Sequence, residues 1–408
     1  MPVISTQENP LSNTRPGIDL QCKDPFETFA LMREHHPVCQ IEPNGLWAIS
    51  RYKDIKEALA QPEVFSSQAL DRFFQADWLS DDCKSKRLVV SQDPPEHKKY
   101  HGLLNKAFIN SNIKALIPLM RETAKSLIGN MTPDMPVDFI SQFAYPYIGK
   151  IIGQIVGVGD KQSLAEIQEW VEYEEQMSPY RPSDEFIDGC ENSIRRQKAY
   201  FLEAIKERRL KPRNDLLSSL LEARVDQQAL SDEELCSLLS LMVSAGYTTT
   251  VQALTHAIIQ LSRRPEILAQ IKQSPQLIPA FTEELLRHSP PLYTAFRIAS
   301  RDIKIYDVTI PKGEMVLPLL ASGNRDPAQF ENPDEFDIFR KNARQHLTFG
   351  YGIHTCIGAA LARLEIHVAL EALLSAYSEI SCPPDDQLDW IQSIGMRAVS
   401  TLPTRFFT

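Results

Sequence analysis

His346-Leu347-Thr348-Phe349-Gly350-Tyr351-Gly352-Ile353-His354-Thr355-Cys356-Ile357-Gly358 runs directly into Ala359-Ala360-Leu361-Ala362-Arg363-Leu364-Glu365. Three glycines, Gly350, Gly352 and Gly358, fall within nine residues, so the backbone there can fold tightly against something flat. Cys356 stands just before a helical pattern that the spacing predicts over about 359–376. Free backbone N–H groups and the positive end of that helix favour a thiolate at this point. No second cysteine lies near it, so the sulfur can ligate a metal only singly. A zinc site needs three or four ligands from one neighbourhood, and they are not here.

The rest of the chain sets the frame for this loop. It has 408 residues, 43% hydrophobic and 24% charged, which is an ordinary globular profile. The net charge of −10 argues against a sequence-independent grip on nucleic acid. Seven scattered cysteines, none in a CxxC pair, disfavour a disulfide framework and fit a reducing compartment. The absence of CxxCH excludes covalent c-type haem attachment. The N-terminus has neither a basic region nor an apolar core, and no apolar run approaches a membrane span, so a soluble cytoplasmic protein is expected.

Residues 1–23 read as an irregular leader and 24–408 as one domain. Asp24 to His36 reads as a helix capped by Asp24, and Val38–Ile41 with Leu46–Ser50 as a hairpin about Pro43-Asn44-Gly45. Helical periodicity then dominates to Ser289, over 52–61, 95–109, 112–128, 138–157, 161–177, 184–210, 215–223, 231–262 and 276–288. Short β-like runs follow at 297–320, and a loop-rich tail closes the chain. The fold class is therefore mostly α with a small β portion, α+β rather than alternating β/α. Ser231 with Glu234 forms a capping-box pattern that opens a helix of about 32 residues, roughly 48 Å long. Its middle, Ala245-Gly246-Tyr247-Thr248-Thr249-Thr250, is poor helix material. Either a planar ligand approaches there or a buried helix tolerates the glycine.

Phe349-x-x-Gly352-x-x-x-Cys356-x-Gly358 resembles the cysteine loop of the cytochrome P450 family. A single axial thiolate fits a haem iron, where it favours O–O cleavage. The resemblance extends from about residue 24 to the end and implies the cytochrome P450 fold, haem b held by Cys356, and monooxygenase activity. Glu284-Leu285-Leu286-Arg287 resembles the family's ExxR element. Alone, such an i,i+3 pair is a solvated surface contact, but the resemblance implies a buried one tied to a later arginine, here Arg340.

Asp93-Pro94-Pro95-Glu96-His97 resembles the entry to a haem-edge helix, and implies that His97 and the residue four positions on bind a propionate. That residue is His101, where bacterial relatives usually carry arginine; histidine makes the contact shorter and dependent on protonation. Arg297 and His354 match the remaining propionate ligands, and Phe349 the aromatic of the loop. Ala245-Gly246-x-x-Thr249 resembles the oxygen-binding notch, with Gly246, Thr248 and Thr249 as its catalytic positions. The residue before the threonine is usually an acid. This chain has Thr248 there, which can hydrogen-bond but cannot relay protons as an acid does.

By the same resemblance, Leu241, Ser244, Ala245, Tyr293, Thr294, Ala295, Ile394 and Met396 are candidate substrate contacts, and 68–92 with Phe73, Phe74 and Trp78 a lid. Their character implies a small, mainly apolar organic substrate. With no flavin or iron–sulfur module in the chain, electrons must come from outside, and the resemblance implies a ferredoxin or flavodoxin with its reductase; Lys98, Lys99, Lys106, Arg340, Lys341 and Arg344 form a basic cluster that either docks such a partner or is a solvated face. No nucleic acid, no membrane and a monomer are expected. Two other readings stay open: a peroxide-driven or non-hydroxylating haem-thiolate enzyme, and a haem module that binds a ligand without turnover.

Overall fold

The computed structural model describes residues 24–41, 45–85, 89–108, 113–157, 161–177, 180–213, 215–225 and 228–408. The leader, Pro43-Asn44 and part of the proposed lid lie outside the described residues. The chain packs as two compact units. The first comprises Met1–Ala69, Pro279–Cys356 and Gln387–Ser400; the second comprises Leu70–Ile278, Ile357–Asp386 and Thr401–Thr408.

The first unit is built on a five-stranded sheet. Strands Val38–Ile41 and Leu46–Ile49 form the expected antiparallel hairpin, in register Val38 to Ile49 and Ile41 to Leu46. Met315–Pro318 then adds in parallel to Leu46–Ile49, and Arg297–Ala299 and Phe65–Ser66 complete the sheet. The preceding helix spans Phe26–His35; Asp24 Oδ1 accepts from the Phe26 N–H at 3.0 Å, but Pro25 holds the N-cap position. On one side of the sheet Ile49, Ile55, Leu59, Val316, Phe330 and Leu347 share a core, so the first turn of the cysteine loop is pinned by burial of Leu347. Burying such a side chain contributes about 1.5–3 kcal/mol.

The second unit is helical. Its centre is the helix Asp232–Arg263, whose capping box forms as the sequence suggests: Ser231 Oγ accepts from the Glu234 N–H at 3.2 Å, and Glu234 Oε2 accepts from the Ser231 N–H at 2.7 Å. The helix runs unbroken through Gly246 and the threonines. A Cβ on Gly246 would stand 2.8 Å from Ile152 Cδ1, so the glycine seats the long helix against the helix Tyr145–Val156. Helices Lys161–Glu175, Asp184–Leu210 and Ala359–Ala376 also pack on it, and Ile117–Gly129 packs on Ala359–Ala376 and Tyr145–Val156.

Two stretches differ from the sequence expectation. A helix at Pro265–Gln273 fills a gap left between two assigned helices; Pro265 is one of its first residues, where a missing N–H costs nothing. The tail also carries strands rather than loop alone. Pro403–Phe407 pairs with Glu379–Ser381 on one side and with Val137–Asp138 on the other, partners too distant in the chain for any local pattern to announce.

Candidate functional site

The cysteine loop of the first unit is shaped by two left-handed glycines, Gly350 at φ 71° and Gly352 at φ 76°. The Gly350 N–H donates to the Leu347 carbonyl at 2.7 Å, and the Cys356 N–H donates to the Phe349 carbonyl at 2.8 Å, folding the chain back under the aromatic ring. A Cβ at Gly352 would lie 2.5 Å from the Leu59 carbonyl oxygen, so both backbone conformation and contact demand glycine. We expect Gly352→Ala to lower stability by about 1–3 kcal/mol through strain, read as a fall in the denaturant midpoint at unchanged m. Among the six described cysteines, Cys356 alone is exposed; Cys39, Cys83, Cys190 and Cys236 are buried, and burial pushes the Cys39 and Cys190 thiols up to about 12. Among the described cysteines the exposed one thus stands two residues before the helix cap at Gly358.

Beneath this loop is a buried polar lattice. Arg287 grips Glu284 with two parallel bonds of 2.7 and 2.8 Å, and donates to the carbonyls of Asn324, Pro333 and Glu335. Both side chains are fully buried, so this is not the solvated pair the spacing alone suggests. Arg340 Nε joins at 3.2 Å from Glu284 Oε1, and the Asp337 N–H donates to the same oxygen at 2.8 Å. Asn324 carries the lattice into the cysteine loop: its amide donates to Thr348 Oγ1 at 2.8 Å while its oxygen accepts from the Leu347 N–H at 2.6 Å. His346 Nδ1 accepts from the Thr348 N–H, which leaves Nε2 to donate to Glu283 at 3.3 Å. Arg340, its side chain nearly sealed, is therefore part of this scaffold and not of a docking face. Arg344 stays exposed, 3.7 Å from Glu283. The Lys106 side chain lies outside the described residues.

The same unit holds Arg297, buried, with Nη1 donating to the Phe296 carbonyl at 2.8 Å, and His354 in the last turn before Cys356. Tyr293 is a core residue here: it packs edge-on to Phe26 and Phe29, and its hydroxyl accepts from Arg397 at 3.1 Å. Thr294 is buried with its hydroxyl on the Pro318 carbonyl, and Ile394 packs on the Tyr293 cluster. Ala295 lies against the sheet core, and Met396 pairs with Leu292 in an isolated bridge.

The second unit places His97 and His101 on the helix Glu96–Ala107, one turn apart, with ring centroids 4.9 Å apart. Burial lowers both pKa values, and the proximity of His101 lowers that of His97 further. Two imidazoles held close and leaning neutral suit a single carboxylate between them, which would restore their charge. Leu241, Met242, Tyr247 and Thr248 are buried on the long helix, whereas Ala245 and Thr249 retain accessible surface. Thr249 Oγ1 donates back to the Ala245 carbonyl at 2.8 Å. Trp78 is buried with Cys83, Met177, Ile187 and Cys190, so it anchors rather than caps.

Three acids of this unit escaped the sequence reading. Glu174 Oε1 accepts from Ser240 at 2.8 Å and from Gln197 at 3.3 Å, and Ser244 also favours its charge; burial nonetheless raises its pKa. Glu175, beside it, is pushed up to about 7, first by burial. Glu365 is sealed, its Oε1 without a hydrogen-bond partner among the described residues, and burial holds it well above the usual carboxylate range. Nothing in the local pattern marks these residues, because only the packing of another helix makes them special.

The cytochrome P450 family model matches residues 20–405. The chain is a cytochrome P450. It is 33% identical over 405 residues to cytochrome P450 107B1 of Saccharopolyspora erythraea, spanning 95% of this chain and 96% of that one. It is likewise 33% identical to the cyclomarin C epoxidase CymV of Salinispora arenicola, over 90% of this chain and 93% of the other. The solved structure of CYP109Q5 from Chondromyces apiculatus superposes with a TM-score of 0.87 at 33% identity, covering 96% and 98% of the two chains. This P450 is accordingly an oxidoreductase of the monooxygenase class with the helix-rich fold of its family. The family is haem-thiolate, and the residues present are of the kind that group needs: in one unit an exposed sulfur in a glycine-shaped turn and a buried arginine, and in the other a pair of imidazoles. No described helix is long and apolar enough to cross a membrane.

Proposed function

We propose that this P450 inserts one oxygen atom from O2 into a small, mainly apolar organic substrate, and that residues 24–408 act as one domain in doing so. Cys356 would hold the iron of haem b through its thiolate, with Phe349 packed against the loop, and His97, His101, Arg297 and His354 would hold the propionates. The observation that carries this reading is the turn that leaves Cys356 as the exposed cysteine among those described, its N–H fixed on the Phe349 carbonyl at 2.8 Å. When bound, haem supplies the redox chemistry that splits O2 between substrate and water.

This chain's own residues would then do three things. The loop orients the sulfur, because the Glu284–Arg287–Arg340 lattice fixes Asn324 and, through it, Leu347 and Thr348. On the long helix, seated by Gly246, Leu241, Ser244 and Ala245 would be candidates for substrate contact; taken by itself, the other unit would offer Tyr293, Thr294, Ala295, Ile394 and Met396 as candidates. Of these, Ala245 is exposed, Ser244, Ala295, Ile394 and Met396 are partly accessible, and Leu241, Tyr293 and Thr294 are buried. Thr249, whose hydroxyl donates to the Ala245 carbonyl, would hold a proton donor for the oxygen chemistry, with Gly246 and Thr248 as the other catalytic candidates of the notch.

Electrons would come from a ferredoxin or flavodoxin with its reductase, in the cytoplasm, to a monomer. The epoxidase among its relatives supports an oxygen-insertion reaction on an organic molecule. The test is turnover of a panel of apolar compounds with NADPH, ferredoxin and reductase, set against peroxide alone. Product from the reductase system supports the reading. Product from peroxide alone, or spectral binding with no product under either condition, overturns it.

A further inference from the structure

Glu283 stands next to Glu284 on the helix Ile278–His288, but it serves a different neighbour. Consecutive helical residues point about 100° apart, so one carboxylate enters the Arg287 lattice while the other meets His346 of the cysteine segment. Glu283 is buried and has a partner at each oxygen. Oε2 accepts from His346 Nε2 at 3.3 Å, and Oε1 lies 3.7 Å from Nε of the exposed Arg344. His346 is buried as well, and its other nitrogen accepts from the Thr348 N–H at 3.2 Å. An imidazole that accepts at Nδ1 and donates at Nε2 is neutral and is held at both ends. Turning it would break hydrogen bonds in a place where water does not replace them.

The ring held in this way packs on Phe349, with centroids 5.6 Å apart and planes at 47°. Phe349 in turn offers its carbonyl to the Cys356 N–H at 2.8 Å. Glu283, His346, Phe349 and Cys356 therefore form a continuous series of contacts inside the first unit. A separate series through Asn324 ends on Leu347 and Thr348. Thr348 Oγ1 also donates to the Leu286 carbonyl at 2.6 Å, so the helix that carries Glu283 grips the loop at a second point.

We infer that Glu283 and His346 are positioning residues for the Cys356 sulfur: the carboxylate orients the imidazole, the imidazole seats Phe349, and Phe349 fixes the backbone that carries the sulfur. The inference rests on Cys356 as the haem ligand and deepens that reading. The pair has an electrostatic part as well. Glu283 brings a negative charge to the loop, and Arg344 offsets it from the surface. Negative charge near the iron site disfavours addition of an electron there, and positive charge favours it.

The two parts separate by substitution in the holoenzyme. His346→Gln retains a donor for Glu283 but loses the ring, and Glu283→Ala retains the ring but loses its acceptor. In both, amide hydrogen exchange of the segment from Phe349 to Cys356 should speed up severalfold, by more than in the rest of the chain. The long-wavelength band of the ferrous–CO form should also convert severalfold faster to the shorter-wavelength band on standing. Glu283→Gln keeps an acceptor of nearly the same shape, so it should recover most of the lost protection.

The reduction potential reads the charge. Glu283→Gln removes a negative charge and should move it up. Arg344→Gln leaves Glu283 less compensated and should move it down, by less in high salt because Arg344 is exposed. A merely structural role gives no such opposition of sign. Loop exchange and band conversion as slow as in wild type for both His346→Gln and Glu283→Ala would overturn the inference. So would an exchange increase spread evenly over the chain, or potential shifts of the same sign in Glu283→Gln and Arg344→Gln. Failure of the ligand reading itself would show in the wild type, as a haem protein without the long-wavelength band.

Discussion

Arg287→Ala will lower the stability of this P450 by about 3–5 kcal/mol, the cost of leaving a buried partner charge uncompensated. Arg287 makes five hydrogen bonds from a fully buried position, two of them to Glu284. Without it, the sealed Glu284 carboxylate keeps Arg340 at 3.2 Å and the Asp337 N–H, and three carbonyls lose a donor. Natural domains hold about 5–15 kcal/mol in all, so the loss is a large fraction of the whole. Arg287→Lys should recover little, because an ammonium cannot form the parallel fork. Urea unfolding checks it. A midpoint within error of wild type would mean that the lattice under the cysteine loop is dispensable. The same variant should also lose the order of the loop, since Asn324 connects the two.

Cys356→Ala should behave in the opposite way. The side chain is exposed, and the backbone bond to Phe349 does not use it, so the unfolding midpoint should move by no more than about 0.5 kcal/mol. Product formation should nevertheless disappear with every electron source, and the haem retained per chain through gel filtration should fall severalfold. A stable fold with chemistry abolished is the mark of a ligand rather than a structural residue. Wild-type turnover in this variant would remove Cys356 from the account. Collapse of the fold would return it to a packing role.

What could be read from the chain follows the range of the forces involved. The capping box at Ser231 and Glu234, the glycine-rich cysteine loop and the hairpin at Val38–Ile49 depend on residues close in sequence, and all three form. Glu284 and Arg287 were visible as a pair, but their burial depends on Pro333, Glu335 and Arg340 arriving some fifty residues later. The parallel pairing of Met315–Pro318 with Leu46–Ile49 joins segments no periodicity connects.

Gly246 was legible as an anomaly, and its packing reason is Ile152, which only the fold supplies. Thr248 was legible as a departure from an acid. Nothing in the run of Glu172, Glu174 and Glu175 distinguishes Glu174 from a solvated face, and only the packing of Ser240 and Gln197 from other helices gives its carboxyl hydrogen-bond donors.

The central claim is a bond between the sulfur of Cys356 and a haem iron, and the ferrous–CO absorption spectrum of the wild-type protein purified with its porphyrin tests it most directly. The expected result is the long-wavelength Soret band of a thiolate-ligated haem. A protein that retains one porphyrin per chain yet shows the shorter-wavelength band of a neutral ligand would contradict it.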